Sequence, residues 1–296
     1  MSTFRERNDG KSRGEQGSSG GAGKESGRGG SGGGGKGPGR GWDPSRPRFK
    51  PKKEEASGWL WGRHAVEAAL KNPARDGEMR LMATEDRLRD LQPILTRHRK
   101  NLRPETVEGK QLTDKLPTGA VHQGMALKTS ALEGVSIDEL GEPARGVIIM
   151  LDSVTDPQNV GAIFRSAAAF GARGVVMQDR NAPVLSGSLA KAAAGAIDTV
   201  DCARVTNLSR ALERLAELGW RSVGLAGEAE QTLAQVLDGR PTVLVLGSEG
   251  DGIRRLVSEH CDALGRIPMP GKFESLNVSN AAAVALYETV RRVDEG

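Results

Sequence analysis

The sequence predicts an α/β protein whose C-terminal half contains a mostly parallel β-sheet. Between residues 146 and 269, six short apolar segments alternate with helical patterns. Several of these segments, such as GVIIML and TVLVL, are continuous apolar runs, which is typical of parallel strands covered on both faces. The helix after GVIIMLD has clear end signals, with Asp156 placed to cap it, Pro157 in its first turn and Gly171 at its end. We therefore expect strands and helices to alternate over residues 146–296.

A smaller α/β unit of residues 57–130 precedes this sheet. Its patterns predict, in order, a helix from Gly62 to Leu70, a strand at Met79–Ala83, a helix from Asp86 to Arg99 that contains Pro93, a strand around Val107, a helix over Gln111–Lys115 and a closing segment HQGMALKTS. Residues 131–145 carry Gly134, Gly141 and Pro143, and they predict a linker.

The first 56 residues predict a disordered, basic tail. They hold 16 of the 40 glycines and almost no aliphatic residues, so they cannot bury enough apolar surface to offset the loss of chain entropy. They carry 13 Lys+Arg against 7 Asp+Glu, a net charge of +6. Residues 57–130 carry 13 against 9, a net of +4, and residues 131–296 carry 16 against 22, a net of −6. The distribution favours an RNA or DNA partner for the N-terminal part, with a merely solubilising tail as the alternative.

Two other classes of protein are disfavoured. Cys202 and Cys261 form no CxxC pair, and the four histidines show no metal-ligand spacing, so we expect no metal and no disulfide. The N-terminus lacks an apolar signal core, and no run approaches the ~20 apolar residues that cross a bilayer. We expect no membrane association and a cytoplasmic location.

The candidate binding residues lie in loops that follow three of the predicted strands. Ligands of parallel α/β sheets bind beyond the carboxyl ends of the strands. Asn159 and Arg165 follow the first strand of the C-terminal half, and the loop GSEGDG follows TVLVL. The segment IPMPGKFESLNVSN then places more polar groups ahead of an alanine-rich helix than a single cap needs, although over-capping of that helix is the alternative.

The loop GSEGDG does not predict a dinucleotide site. A phosphate-binding turn needs an anion to approach the backbone closely, and Glu249 and Asp251 would place negative charge there. The order GxGxxG is also absent. These charges suit a cationic or neutral polar ligand better.

Three segments, NVGAIFR, LGSEGDG and IPMPGKFESLNVSNAAAV, resemble the ordered motifs of the TrmH family of RNA ribose 2′-O-methyltransferases, in the SPOUT superfamily. The resemblance covers about residues 147–290. GRHAVEAAL and HQGMAL are similar to the substrate-binding domain of those family members that methylate guanosine in large-subunit rRNA. The resemblance implies S-adenosylmethionine-dependent methylation of a ribose 2′-hydroxyl, with a guanosine of 23S rRNA as the expected target. A tRNA methyltransferase of the same family and a non-catalytic RNA-binding or ribosome-assembly protein are the alternatives.

The same resemblance implies a trefoil knot in residues 146–296, an L30e-like domain before it, and a homodimer whose active sites are built from both subunits. S-adenosylmethionine would be the methyl donor, without a metal. The positions that match cofactor-binding positions of the family are Gly247, Ile267 and Leu276. Arg165 matches the residue assigned to deprotonation of the hydroxyl, and Asn159, Glu249, Ser275 and Asn277 match those that arrange the reaction.

Other interpretations of three of these residues stay open. An arginine normally stays protonated, with a pKa above ~12, so Arg165 could grip a phosphate while water or another group takes the proton. Arg165 could also be a solvated or ion-paired surface residue. Asn159 could only help to cap its helix, and Glu249 could only complement a helix N-terminus.

Overall fold

The computed structural model describes residues 44–45, 57–180, 182–271 and 275–294. The disordered tail predicted over residues 1–56 lies outside these described residues, apart from Pro44 and Ser45. The described residues from Pro44 to Asp294 lie within one compact unit that contains both β-sheets. The strands are β1 Ser57–Trp61, β2 Arg80–Ala83, β3 Glu105–Thr106, β4 Met125–Ser130, β5 Val147–Leu151, β6 Gly174–Gln178, β7 Asp201–Val205, β8 Arg221–Leu225, β9 Thr242–Leu246 and β10 Ala263–Gly265. The helices are α1 Arg63–Lys71, α2 Glu85–His98, α3 Gly109–Lys115, α4 Ile137–Gly141, α5 Pro157–Ala169, α6 Gly187–Ala192, α7 Leu208–Glu217, α8 Leu233–Val236, α9 Arg255–Ser258 and α10 Val278–Asp294, with a 3-10 turn at Ala196–Asp198.

The first sheet has four strands in the order β1-β4-β2-β3. Strand β4 runs antiparallel to both β1 and β2, and Trp59 of β1 lies opposite Lys128 of β4. One face of β1 buries Leu60 against α1, whereas the other face carries Trp59 and Trp61. This alternation is the period of two expected of a strand.

The second sheet has six strands in the order β10-β8-β9-β5-β6-β7, and every pairing in it is parallel. Ile149 and Leu244 belong to the apolar cluster that also contains buried residues of α5, α6, α8 and α10. Ile148 and Val243 belong to a second cluster with residues of α4, α7 and α9. The central strands are therefore covered on both faces, which explains their continuous apolar runs. The predicted α/β class with a parallel sheet is confirmed.

Helix α5 begins and ends as its sequence predicts. The Asp156 carboxylate accepts hydrogen bonds from the backbone N–H groups of Gln158 and Asn159, at 3.3 and 3.1 Å. Pro157 is the first helical residue, and Gly171 follows the helix with a φ of 65°. A Cβ at Gly161 would lie 2.6 Å from the carbonyl oxygen of Leu189, so α5 packs closely against α6.

Several predictions of local structure need correction. The predicted linker, residues 131–145, contains the unpredicted helix α4, which begins with a reciprocal capping box between Ser136 and Glu139. The strand predicted around Val107 comprises only the two residues before it, although the Val107 N–H still bonds to Ala83. Strand β1 was not predicted at all.

A buried ion pair joins the two sheet-bearing parts of this unit. Arg75, in the loop after α1, donates from Nε to Asp198 Oδ1 at 2.6 Å, and both side chains are 1% exposed. Asn72 donates to the same oxygen at 3.0 Å, and a second guanidinium nitrogen of Arg75 donates to the carbonyl oxygen of Ser130. The carboxylate is therefore held by two side chains of the N-terminal part.

Candidate active site

Three loops meet at the carboxyl edge of the parallel sheet. Strands β5 and β9 are neighbours, with Leu151 opposite Leu246. The loop after β5 leads into α5, the loop after β9 spans residues 247–254, and the segment before α10 ends beside them. Because the two strands end side by side, residues about 90 positions apart in sequence come into contact.

Asn159, Glu249 and Asn277 form what we call the amide–carboxylate cluster. Glu249 Oε1 accepts hydrogen bonds from Asn159 Nδ2 at 3.0 Å and from Asn277 Nδ2 at 2.8 Å. It also accepts one from the backbone N–H of Val278, at 3.4 Å. Asn277 Nδ2 further lies 3.0 Å from Asn159 Oδ1. One residue from each of the three sequence motifs is thus in direct contact with the other two.

Asn277 also caps the helix that follows it. Its Oδ1 accepts hydrogen bonds from the backbone N–H and the hydroxyl of Ser279, at 2.9 and 2.5 Å. The oxygen of this amide thus satisfies the start of α10, while its nitrogen binds Glu249. Helix capping therefore explains the contacts of Asn277 Oδ1 but not those of Nδ2. Asn159, in contrast, does not cap α5 with its side chain, because Asp156 occupies that role.

Two of the expected catalytic residues lie outside the cluster. Arg165 is exposed on α5, and it makes no hydrogen bond or ion pair with any described residue. Six residues along an α-helix correspond to a rotation of about 240°, so Arg165 and Asn159 face different directions. Ser275 is also exposed, and its hydroxyl has no hydrogen-bond partner within the described ranges.

The three expected cofactor residues lie on the same loops. Gly247 directly follows β9, and a Cβ there would lie 1.9 Å from the carbonyl carbon of Gly252. This crowding arises because Ser248 and Gly252 exchange backbone hydrogen bonds across a tight turn, so only glycine fits at 247. Ile267 is half-buried beyond β10, and Leu276 is 40% exposed before α10.

These features fit an adenosyl group and its sulfonium. Such a ligand needs apolar side chains and main-chain hydrogen bonds, which the partly exposed Leu276 and the side-chain-free turn at Gly247 can offer. A nearby carboxylate such as Glu249 suits a positively charged sulfur. No group of three or more His, Cys, Asp or Glu that could hold a metal occurs in the described part of the chain.

The sequence did not point to Asp152, which supports the loop after β9. This carboxylate is 0% exposed. Its two oxygens accept from the backbone N–H and from Nε of Arg254, at 2.8 and 2.7 Å. The backbone N–H of Asp152 donates to the carbonyl oxygen of Leu246 at 2.8 Å. In the sequence, Asp152 could have been identified as an acidic residue that directly follows a continuous apolar strand.

The cysteines supply no nucleophile to this site. Burial raises the pKa of the Cys202 thiol to about 11 and that of the Cys261 thiol to about 12. Both groups therefore remain protonated at neutral pH, and both are free thiols.

Both parts of the described chain match known families. Residues 146–287 match the SpoU rRNA Methylase family. Residues 59–135 match the family described as RNA 2′-O ribose methyltransferase substrate binding. The two matched regions contain the parallel sheet and the four-stranded sheet, respectively.

Curated relatives extend over both regions. The chain is 40% identical over 240 residues to the 23S rRNA (guanosine-2′-O-)-methyltransferase RlmB of Pseudomonas aeruginosa, covering 79% of this chain and 96% of the relative. It is 39% identical over 240 residues to RlmB of Pectobacterium atrosepticum, covering 79% and 97%. An uncharacterised tRNA/rRNA methyltransferase of Synechocystis is 36% identical over 83% of this chain and 65% of the relative.

Solved structures share the fold. The SpoU methyltransferase AviRb from Streptomyces viridochromogenes, in complex with AdoMet, has a TM-score of 0.68 at 22% identity, covering 82% of this chain and 92% of that one. An AdoMet-bound rRNA methyltransferase from Sinorhizobium meliloti has a TM-score of 0.67 at 21% identity, covering 81% and 89%. The family resemblance inferred from the three motifs is confirmed, and the chain belongs to the SpoU rRNA methylase family.

Proposed function

We propose that this protein transfers a methyl group from S-adenosylmethionine to the ribose 2′-hydroxyl of a guanosine in 23S rRNA. The observation that carries the proposal is 40% identity, over 240 residues that include both sheets, to enzymes named for this reaction. The proposal further draws support from the contact among Asn159, Glu249 and Asn277, one residue from each motif. The cytoplasm, where such RNA is accessible to the enzyme, is the proposed location.

The protein's own residues have two tasks in this reaction. Bound S-adenosylmethionine supplies an electrophilic methyl group on a sulfonium, so the chain must chiefly orient the reactants and allow the hydroxyl to lose a proton. Gly247, Ile267 and Leu276 are the proposed cofactor residues. Glu249, fixed by the two asparagine amides, holds the loop after β9 against the start of α10.

For Arg165 we favour the binding of a phosphate next to the target ribose. Its guanidinium is exposed and has no carboxylate partner in the described part of the chain. Guanidinium groups stay protonated at neutral pH and match phosphate geometry with two parallel N–H donors. The proton of the 2′-hydroxyl would then pass to water or to another group. Direct proton acceptance by Arg165 is the alternative assignment, and Ser275 is proposed to help position the substrate.

We also propose a homodimer that uses the exposed face of α10. Val284 and Tyr287 are 42% and 57% exposed, although both are apolar or aromatic. The Tyr287 ring packs edge-on against Phe170, which follows α5, with 6.3 Å between centroids. Exposed apolar patches of this kind commonly mark protein interfaces. A second copy at this face would bring its Arg165 to the active site of the first copy. Arg165 has no hydrogen-bond or ion-pair partner among the described residues of its own chain.

A methylation assay on separate RNA classes tests the proposal. The full chain would be incubated with labelled S-adenosylmethionine and with transcripts of 23S rRNA or tRNA, and the modified nucleotide would be mapped. We expect 2′-O-methylguanosine in 23S rRNA. Methylation of tRNA alone would reassign the substrate, and failure to bind S-adenosylmethionine in calorimetry would favour a non-catalytic RNA-binding role.

The Arg165→Ala variant tests the site within the same assay. Loss of a positioning contact to the reacting group is expected to lower the turnover number about a hundredfold, with cofactor affinity unchanged. Arg210→Ala is the matched control, because Arg210 is an exposed arginine on helix α7, on the opposite face of the sheet. Wild-type activity in Arg165→Ala would remove Arg165 from the mechanism.

A further inference from the structure

A groove with a volume of about 670 Å³ lies between the four-stranded sheet and the start of α5 and α6. We call it the interdomain groove, and its floor and walls include Trp59, Trp61, Gln158, Ser186, Ser188 and Lys191. Its volume lies within the range of about 300–1,000 Å³ that is common for small-molecule sites. None of the family motifs identified in the sequence assigns a role to Trp59, Ser186 or Lys191.

Trp59 and Trp61 of β1 line one side of the groove, and Lys191 of α6 lines the other. Trp59 is partly exposed, and it lies on the face of β1 that also carries Trp61. Across the sheet, Trp59 is directly opposite Lys128, whose side chain is exposed. The groove's lining contains no Asp or Glu among the residues that the structure describes. An aromatic platform beside positive charge, without acidic residues, is the combination that binds single-stranded RNA.

Lys191 is held by a neutral group. Its Nζ donates to Gln123 Oε1 at 2.7 Å, and the side chain passes over Gly62, where a Cβ would lie 2.4 Å from Nζ. Burial lowers the pKa of Lys191. The amide oxygen of Gln123 also accepts from the backbone N–H of Arg63, so it fixes the lysine without neutralising its charge. A phosphate would provide the missing counter-charge.

The first turn of α5 belongs to both the groove and the candidate active site. Pro157 and Gln158 line the groove, and the next residue of α5 is Asn159 of the amide–carboxylate cluster. The side chains of Gln158, Ser186 and Ser188 make no hydrogen bond with described residues, so their polar groups are available to the edge of a nucleobase. A strand whose target ribose occupies the site would place a neighbouring nucleotide at this groove.

We propose that the interdomain groove binds a nucleotide adjacent to the methylated one, with its base stacked on Trp59 and its phosphate paired with Lys191. This inference rests on the proposed RNA methylation. It assigns to residues of both domains a joint role in holding the substrate strand. The close contact of Gly187 with the Trp61 ring, where an added Cβ would lie 3.2 Å from the ring, keeps the two walls of the groove together.

Tryptophan fluorescence tests the stacking. The full chain would be titrated with a short single-stranded oligoriboadenylate, because a base stacked on an indole quenches its emission. Trp59→Phe should abolish most of the quenching and keep the affinity within about threefold, whereas Trp59→Leu should weaken binding about tenfold, since a base–aromatic stack is lost. Quenching as large in Trp59→Phe as in the wild type would overturn the stacking.

Salt dependence tests the phosphate contact. Lys191→Gln should weaken oligoriboadenylate binding and reduce the slope of log affinity against log salt by about one, whereas Lys191→Arg should restore both. Lys100→Gln, at an exposed lysine after α2 and outside the groove, should change the slope less. An unchanged slope in Lys191→Gln would overturn the phosphate contact.

Two further measurements, S-adenosylmethionine binding and sedimentation, distinguish loss of RNA binding in the groove from misfolding and from a change in oligomeric state. Binding of S-adenosylmethionine by each variant checks that it is folded, and Trp59→Phe and Lys191→Gln remain informative if Trp59→Leu does not fold. Oligonucleotide quenching does not require methylation, so it can survive a failure of the proposed reaction. A change in sedimentation of Trp59→Leu would assign the groove to an interface between copies, and that result would overturn the proposal.

Discussion

Asp152 is a single buried carboxylate that ties the loop after β9 to the end of β5. Both of its oxygens accept hydrogen bonds from Arg254, one from the backbone and one from the side chain. Arg254 lies just beyond the tight turn at Ser248–Gly252. The carboxylate therefore fixes one end of the loop that carries Gly247 and Glu249, without belonging to the amide–carboxylate cluster itself.

The Asp152→Asn variant is expected to destabilise the protein and to weaken cofactor binding. An amide keeps one acceptor but turns a donor toward Arg254, so one buried hydrogen bond is lost, and the free energy of unfolding should fall by about 2 kcal/mol. Urea denaturation and calorimetry with S-adenosylmethionine would measure the two effects. Arg254→Ala retains the backbone bond and removes a side chain that is 49% exposed, so it should have the smaller effect. The reverse order would contradict this role of Asp152.

At the level of single residues, the sequence indicated the members of the amide–carboxylate cluster but not Asp152, which holds the loop after β9 in place. Asn159, Glu249 and Asn277 could be proposed because each lies in a recognisable motif. Their hydrogen bonds join positions up to 118 residues apart, and such pairings depend on the packing of the whole sheet. Arg165 and Ser275 meet no described partner, so their roles remain predictions that require RNA or a second subunit.

At the level of secondary structure, burial decided what could be predicted. The central strands of the parallel sheet are covered on both faces, and their continuous apolar runs make them visible in sequence. Strand β1 pairs with β4, about 70 residues later, and its short alternating pattern carries little local signal. Helix α4 was hidden among Gly and Pro residues, although Ser136 and Glu139 have the spacing of a capping box.

The ion pair between Arg75 and Asp198 acts at the level of elements, because it joins the loop after α1 to the 3-10 turn before β7. Arg75→Ala would leave a buried carboxylate with only the Asn72 amide, and we expect the free energy of unfolding to fall by about 3–5 kcal/mol. Urea denaturation of the full chain would measure this loss.

The exposed pair between Arg80 and Glu105 provides the control. Its side chains are 49% and 43% exposed, so solvent screens the interaction, and Arg80→Ala should leave the unfolding midpoint close to that of the wild type. Replacement of Arg75 and Asp198 together by Met and Leu should recover part of the loss, because no unpaired charge would remain. Equal effects of Arg75→Ala and Arg80→Ala would show that the buried pair does not fasten the two parts.

For the whole molecule, the proposed dimer makes a direct prediction. Tyr287→Asp places a charge in the centre of the exposed face of α10, and burial of that charge between two copies is unfavourable. We expect the dissociation constant measured by sedimentation velocity to rise at least about tenfold. Leu256→Asp is the control, because Leu256 is 59% exposed on α9, at the other face of the sheet. Dissociation by the control and not by Tyr287→Asp would place the interface elsewhere.

The basic tail makes a second prediction at this scale. Deletion of residues 1–56 removes a net charge of +6 and should weaken RNA binding, because fewer counterions are released when the remaining chain binds. The slope of log affinity against log salt should become shallower, and S-adenosylmethionine affinity should not change. A full-length variant with the tail's Lys and Arg replaced by Gln and Ser separates charge from length. Unchanged slopes in both proteins would show the tail to be a bystander.

The hydrogen bonds of the amide–carboxylate cluster also bear on the kinetics and thermodynamics of folding. Contacts between α5 and the start of α10 close a loop of 118 positions, and such long-range contacts make folding slow. A ligand that depends on all three loops binds the native state and not its unfolded competitors. By mass action, a hundredfold excess of such a ligand over its dissociation constant adds about 2.7 kcal/mol to the native state. Cellular cofactor would thus act as a selective stabiliser of chains that have completed their fold.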